Sequence, residues 1–522
     1  MTDEPLFLAI DFGTQSVRAI VFDLHGASLV RAAVPIPAPR SPEKGWAEQD
    51  AEKLWQWLCE ACRKASSELD DATRIKAVAV TTMRATVIPV DASGDALRPA
   101  ILWPDQRRTK SAPPIGGLNG LLLRIAGVSN TIRFFQSEAE ANWLAIHEPD
   151  LWHKTSRFLL LSGYFNFRLT GEYRDSASSQ IAFVPFDFRR KRWASKNSWK
   201  WQALPWLRRE QLPELVMPGD TTGSITTKAA AETGLVAGTP VIAAAADKAC
   251  EVLGAGGGHR GTACLSYGTA ATVNVSCNRY REIAPFIPPY PAAQPDRWNL
   301  EKQVSQGFWL VDWFKKEFGQ PELEQARSQS VSTESLLDQL LDASAPGAGG
   351  LMSQPFWAPG LRSPGPEARG AIIGLNPSSN RADIYRALLE GILYALRQGL
   401  EQIGKRLGAS EIDNITVTGG GAGSDAVMQL TANIFGRPVS RAAASEASAL
   451  GSAINAAVGL GYFADYKEAI EAMTLPGQLF NPDPELSQQY ETLYQNLYLP
   501  LYSNLKPIFE SFQQQNDHDN LF

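Results

Sequence analysis

The chain has 522 residues, enough for two large domains or three smaller ones at about 150 residues per domain. Hydrophobic residues make up 44% and charged residues 20%, which excludes a disordered polyelectrolyte, a collagen and a disulfide scaffold. With 49 Lys+Arg against 55 Asp+Glu, the formal net charge is −6, a poor basis for binding nucleic acid through bulk charge.

The first residues lack a basic stretch followed by an apolar one, so no secretory signal is expected. No run of about 18 apolar residues predicts a membrane span. Five cysteines in so long a chain indicate a reducing, cytoplasmic setting. Cys59 and Cys62 form a C-x-x-C on an amphipathic helix, without a second pair or a His cluster, and read as small core residues.

In chain order, Leu6–Ile10, Val17–Phe22 and Ser28–Pro35 predict a β-meander. Asp50 can cap a helix whose apolar positions Leu54, Trp55, Leu58, Cys62 and Ala65 keep helical spacing. Ile75–Thr81 and Val87–Val90 read as strands, and the mixture indicates an α/β layer fold. Arg189 to Trp206 is basic and Trp-rich. Against the acidic balance of the chain it reads as a solvated loop over a small apolar cluster. Ala284–Pro295 and Gly347–Gly370 read as long ordered loops rather than strands. Ala382–Leu407 is a strong helix, Ile415–Thr418 a strand, and Asp425–Phe435 and Glu446–Val458 further helices. Gln513–Phe522 reads as a frayed polar end.

One echo organises the chain. Leu8–Thr14 resembles Ala263–Thr269, each a strand, a Gly-Thr turn and a second β-rich run. Two related domains, each carrying a Gly-Thr turn, are expected.

The first turn, Asp11-Phe12-Gly13-Thr14-Gln15-Ser16-Val17-Arg18, suits a phosphate. Glycine allows close backbone approach, Thr14 and Ser16 bring hydroxyls, and Arg18 brings charge. Asp11, at a strand end, suits a hydrated magnesium ion. An ordinary polar hairpin is the competing reading. No G-x-x-x-x-G-K-[ST] occurs, and the G-x-G-x-x-G at Gly256–Gly261 leads into a strand, where a dinucleotide site needs a helix. Asp247 closes the apolar run Val241–Ala246 at a helix start. It is either a helix cap or a general base or metal-facing carboxylate. Gly419–Ser424, between a strand and a helix, suits a nucleotide.

Together these residues resemble the FGGY family of carbohydrate kinases, of the actin/hexokinase/heat-shock-chaperone ATPase superfamily. The pieces fall in family order over about residues 6 to 500: Asp11–Ser16, Arg98–Arg107, Arg168–Tyr173, Gly238–Val241 leading to Asp247, Gly268-Thr269, Ala368–Gly370, Arg386–Gly391, Gly419–Ser424 and Glu446–Gly451. The resemblance implies an α/β fold of two actin-like (ribonuclease H-like) domains around a central cleft, residues 1–257 and 258–505, with a polar tail at 506–522. It implies phosphoryl transfer from Mg-ATP to a hydroxyl of a sugar or polyol, most nearly a pentulose, and a possible homodimer with no nucleic-acid or membrane partner. Asp247 matches the family's general base, and Asp11 would orient Mg2+. Thr14, Gln15, Ser16, Arg18, Gly268 and Thr269 would clamp the phosphates, and Gly420, Gly421 and Ser424 the adenosine part. Trp103, Asp105, Arg84 and Lys248 would line the substrate.

Met83-Arg84-Ala85-Thr86 departs from both the Met-His-Gly of xylulose kinases and the Arg-Glu-Thr of glycerol kinases, and comes near the Met-Arg-Glu of autoinducer-2 kinases. Lys248 stands where many members carry glutamine. Arg84 and Lys248 together either favour an acid sugar or make salt bridges to nearby carboxylates. Gly360–Pro364 lacks the glutamate that many relatives carry before the arginine. A chaperone-type ATPase and a non-catalytic nucleotide- or sugar-binding regulator are the competing functions. The first would need an appended peptide-binding domain, for which the residues beyond 500 are too few, and retention of Asp11, Thr14, Asp247 and Thr269 argues against the second.

Overall fold

The computed structural model describes residues 4–258, 261–284, 287–358, 360, 364–408 and 412–519. Strand β1 (Leu6–Phe12) is apolar at both alternating sets of positions, and all its residues are buried, as in a strand covered on both faces. β2 (Ser16–Phe22) and β3 (Ser28–Pro35) continue it as an antiparallel meander. β3 alternates exposed and buried residues because it is the sheet edge. Helix α1 (Ala51–Ser67) starts at Asp50, whose carboxylate accepts the Lys53 N–H at 3.0 Å. β4 (Ile75–Thr82) returns parallel to β1. β5 (Thr221–Ser224) and β6 (Pro240–Ala243) complete the order β5-β6-β4-β1-β2-β3. Helix α2 (Asp247–Gly254) leaves the C-terminal end of β6.

The second sheet repeats the plan. β7 (Thr262–Tyr267) and β8 (Ala271–Cys277) form the hairpin, with β9 (Trp298–Val304) beyond β8. Helix α3 (Arg381–Leu407) opens with a reciprocal cap between Asn380 and Asp383. β10 (Asn414–Thr418) lies parallel to β7, and after helix α4 (Asp425–Phe435) β11 (Val439–Arg441) lies parallel to β10. Helix α5 (Ala447–Gly459), edge strand β12 (Leu479–Phe480) and helix α6 (Leu499–Asp519) follow. The order is Tyr290–Pro291, an edge strand, then β9-β8-β7-β10-β11-β12. In both sheets a hairpin is followed by two parallel strands and an antiparallel edge strand. The Gly-Thr echo at Gly13 and Gly268 marks the same hairpin in each.

The chain divides into two units that are not contiguous. One comprises Met1–Gly258, Cys277–Asn299 and Glu446–Leu475, the other His259–Ser276, Leu300–Ser445 and Pro476–Phe522. This departs from a single division at residue 257/258. The reason is α5, a helix of small residues (Ala, Ser, Gly) that packs on α2, β1 and β4. Leu6, Leu8, Ile10 and Phe12 of β1 face the α1 side of the sheet with Leu54, Trp55 and Leu58. Phe7, Ala9 and Asp11 face the other way. There Phe7 meets the Tyr462 ring edge-on at 5.4 Å, just past α5. A Cβ on Gly254 would lie 2.0 Å from the Ala447 carbonyl oxygen, and one on Gly451 2.0 Å from that of Cys250. The α2–α5 crossing thus requires glycine on both helices.

Several local expectations change. The stretches 284–295 and 347–370 contain short strands, Tyr290–Pro291 and Met352–Gln354, because each finds a backbone partner. The end of the chain is helical through Asp519, with Phe509 buried, rather than a polar tail from 506. Trp193 is core, with Trp201 and Trp206 packed against the same cluster. Cys59 and Cys62 are buried in the α1 core; burial pushes the Cys59 thiol up to about 12 and that of Cys62 further up, which makes both inert. The arginine of the 360–364 stretch and part of Gly256–Gly261 lie outside the described residues. Among the described residues no helix is long and apolar enough to cross a membrane.

Candidate active site

The hairpin between β1 and β2 closes through the Gly13 N–H, which donates to the Ser16 carbonyl at 3.0 Å. The turn is braced from both sides. Met83 N–H donates to Phe12 O at 3.0 Å, and Ile36 N–H to Gln15 O at 2.8 Å. Thr14 Oγ1 accepts the Trp103 indole N–H at 3.0 Å, which ties the half-exposed Trp103 to the turn. Thr14, Gln15 and Ser16 are solvent-accessible, as groups meeting a phosphate must be.

Asp11 and Arg18 face each other across the β1–β2 ladder, with Arg18 Nη2 3.4 Å from Asp11 Oδ2. Arg18 Nη1 also donates to Glu446, the residue that precedes α5. Arg31 on β3 grips the other Glu446 oxygen through Nε at 2.9 Å and Nη2 at 2.7 Å. Arg18, expected as a phosphate clamp, is therefore held between two carboxylates. Burial pushes the Asp11 carboxyl up to about 6. Arg18 pulls it down, and Asp247, Glu446 and Glu251 push it up again.

Asp247 is the first residue of α2. The cap position is Ala246, with no side-chain cap, so the helix-cap reading fails. Oδ1 of Asp247 accepts the Lys248 N–H at 2.7 Å and lies 3.7 Å from Arg84 Nε. Its side chain keeps 28% of its surface exposed, enough to meet a ligand. Burial raises the Asp247 carboxyl above the ordinary aspartate range, while Arg84 and Lys248 oppose the rise. Lys248 Nζ bonds Glu251 Oε2 at 2.6 Å. Arg84 and Lys248, the two cations weighed for an acid sugar, thus face carboxylates of the protein, which is the salt-bridge alternative. Arg84 also lies over the Tyr290 ring, 5.0 Å from its centroid. The turn that aims it is left-handed, with Ala85 at φ +49°.

Asp105 is a correction. Its side chain is 3% exposed. Its oxygens accept Ala47 N–H at 2.6 Å, Arg107 N–H at 2.9 Å and two guanidinium contacts from Arg107 at 2.8 Å each. With its lone pairs engaged, it braces the Trp103 turn and has no capacity left for a substrate hydroxyl.

In the second unit, Gly268 and Thr269 form the β7–β8 turn. Their carbonyls accept Phe308 N–H at 3.0 Å and Trp309 N–H at 3.2 Å. The Phe308 ring stacks on Tyr267 at 4.7 Å, and a Cβ on Gly421 would lie 2.3 Å from it. Gly421 is therefore required by packing, whereas Gly420 is exposed and opens onto free space. Ser424 caps α4 by accepting the Val427 N–H at 3.0 Å, and its hydroxyl donates to Asp338 at 2.5 Å. That engagement makes Ser424 a structural cap first.

Sequence reasoning quoted Glu446 only within a motif and gave it no role. It overlooked Glu251, Phe308 and Asp338. Their partners lie up to hundreds of residues away, and only the Glu446 motif carried a signal.

The family model for the N-terminal domain of FGGY carbohydrate kinases matches residues 6–254, and that for the C-terminal domain matches residues 263–460. The chain belongs to the FGGY family of carbohydrate kinases. This FGGY kinase is 30% identical over 506 residues to a xylulose kinase of Staphylococcus epidermidis, covering 94% of this chain and 96% of the relative. It is 28% identical over 506 residues to an uncharacterized sugar kinase, YgcE, of Escherichia coli strain K12, covering 95% and 92%. The crystal structure of a xylulose kinase from Rhodospirillum rubrum matches with a TM-score of 0.81 at 25% identity, over 97% of this chain and all of that one. The FGGY kinase thus has the family's two-domain, actin-like α/β fold and is a carbohydrate kinase.

Proposed function

We propose that this FGGY kinase transfers the γ-phosphoryl group of ATP to a hydroxyl of a ketopentose of the xylulose type, with Asp247 as general base. The observation that carries the assignment of the base is the state of Asp247: partly exposed, uncapped at the start of α2, raised by burial and steered by Arg84. The substrate class rests on the xylulose kinases to which the chain is similar.

In this reading Asp247 accepts the proton of the attacking hydroxyl. That oxygen bonds to the γ-phosphorus as the bond to the β–γ bridging oxygen breaks, and ADP leaves with the electron pair. In the first unit Thr14, Gln15 and Ser16, and in the second Gly268 and Thr269, carry backbone and hydroxyl groups of the kind that hold phosphates. Gly420 and Gly421 border the nucleotide. Trp103 presents an apolar face to the sugar, and Arg84 a directed charge. Lys248, tied to Glu251, sets local charge rather than gripping substrate.

The carboxylate of Asp11 fits a hydrated Mg2+: nearly buried, raised by burial first and then by Asp247, Glu446 and Glu251, and countered by Arg18, it gains from a further positive charge. Bound there, the ion would supply neutralisation of phosphate charge.

The test is ADP release from Mg-ATP over D-xylulose and other ketopentoses, ketohexoses, polyols, glycerol, acid sugars and a dihydroxypentanedione, with Asp247→Asn alongside. Turnover of ketopentoses, reduced about 10²–10⁴-fold in Asp247→Asn, is expected. Preferred turnover of another class overturns the substrate, and turnover that survives Asp247→Asn overturns the base.

A further inference from the structure

Asp175 lies outside every motif considered above, yet its carboxylate is fully buried. It is the middle residue of a short strand, Arg174–Ser176, paired with Glu214–Val216. Its Oδ1 accepts Ser176 N–H at 2.8 Å and Asn166 Nδ2–H at 3.2 Å. Its Oδ2 accepts Ser162 Oγ–H at 2.8 Å and Gln180 Nε2–H at 2.7 Å. These donors are neutral. Burial pushes the carboxyl up to about 6, while the four hydrogen bonds pull it down. A buried carboxylate served by neutral groups is costly, so a chain that keeps one uses it for geometry.

The geometry it sets is that of the turn 176–181. Gln180, held by Asp175, also donates to Ser176 O at 3.0 Å and so closes the turn on itself. Three stretches of the candidate site hang from this turn. Ser176 Oγ donates to Ala244 O at 2.5 Å, and Ser178 O accepts Ala246 N–H at 3.2 Å, both on the segment that leads into Asp247. Ile181 O accepts the N–H of Ala85, beside Arg84, at 3.1 Å. Ser178 Oγ donates to Ala292 O at 2.7 Å, two residues past the Tyr290 ring under Arg84.

We propose that Asp175 is a positioning residue for phosphoryl transfer: through the turn 176–181 it fixes Asp247, Arg84 and Tyr290 in one arrangement. The proposal rests on Asp247 being the base, but its structural half stands without that reading. Asparagine at 175 would turn an N–H2 toward two of the four donors and loosen the turn while keeping the shape of the side chain.

The experiment compares amide hydrogen exchange and kinetics in Asp175→Asn and Ser176→Ala. Exchange at Ala85 and Ala246 is expected to rise about tenfold, with β2 and α1 unchanged, as for local rather than global opening. With the sugar turned over in the panel, kcat is expected to fall by up to on the order of 10²-fold while the KM for ATP stays put. Unchanged exchange at the two amides overturns the proposal. So does a rise spread through the whole sheet, or an unchanged kcat. If Asp175→Asn does not fold, Ser176→Ala, which removes the bond to Ala244 and the Ser178 N–H bond to the same hydroxyl and leaves the Asp175 carboxylate in place, decides by the same readouts. An Asp247→Asn variant that retains kcat would sink the base assignment alone and leave the exchange result to stand.

Discussion

Arg18 stands opposite Asp11 on the β1–β2 ladder, its Nη2 3.4 Å from Asp11 Oδ2, and the same guanidinium reaches Glu446 at the start of α5. Burial, first of all, raises the Asp11 carboxyl; Arg18 pulls it down, and Asp247, Glu446 and Glu251 add to the rise. A carboxyl so raised has a consequence for stability.

The folded Asp11 carboxyl titrates near 6, above its unfolded value of 3.8. The folded state therefore holds a proton that the unfolded state has lost, and stability falls as pH rises from about 4 to about 6. Asp11→Asn should stabilise the fold at pH 7 by ~1–3 kcal/mol, read as a higher apparent Tm, while lowering kinase activity. The gain should vanish below pH 4, and thermal melts across that range check it.

Arg84 pulls the raised Asp247 carboxyl down. If Asp247 must be ionised to act, kcat/KM rises with pH through its titration, above the ordinary aspartate range. Arg84→Gln should move that acid limb to higher pH, and Asp247→Asn should remove it. A limb that stays in place in Arg84→Gln would separate the two residues.

Ala85 occupies a left-handed conformation at φ +49°. Such a conformation costs a non-glycine residue about 1–2 kcal/mol, partly offset by the entropy that glycine loses on folding. Ala85→Gly should be neutral to stabilising by up to about 1 kcal/mol. Ala85→Val should destabilise by about 1–3 kcal/mol and raise the sugar KM by turning Arg84 aside. Denaturant titration and steady-state kinetics distinguish these outcomes.

Gly254 and Gly451 let α2 and α5 touch backbone to backbone, each with room for no Cβ. Gly451→Ala should cost about 3 kcal/mol, the upper end of the overpacking range, or prevent folding. Gly420→Ala, which opens onto free space, should leave stability within about 0.5 kcal/mol and act, if anywhere, on the KM for ATP. Paired melts of the two variants make the comparison.

Sequence alone was enough for whatever depends on neighbours along the chain. The β1–β2–β3 meander, α1 with its Asp50 cap, the start of α2 at Asp247 and the repeat of the Gly-Thr hairpin all follow from local periodicity, capping and turn chemistry. Tertiary structure decided what depends on distant partners. It made Asp105 a brace and Ser424 a cap, because Arg107, Ala47 and Asp338 use up their hydrogen-bonding capacity. It returned residues 446–475 to the first unit, where Glu446 meets an arginine 428 positions earlier. It buried Asp175 under a turn that no motif marks. A side chain's type and spacing determine which bonds it can make. Which of them it does make, and whether any capacity remains for a substrate, depends on groups that only folding brings within 3 Å or so.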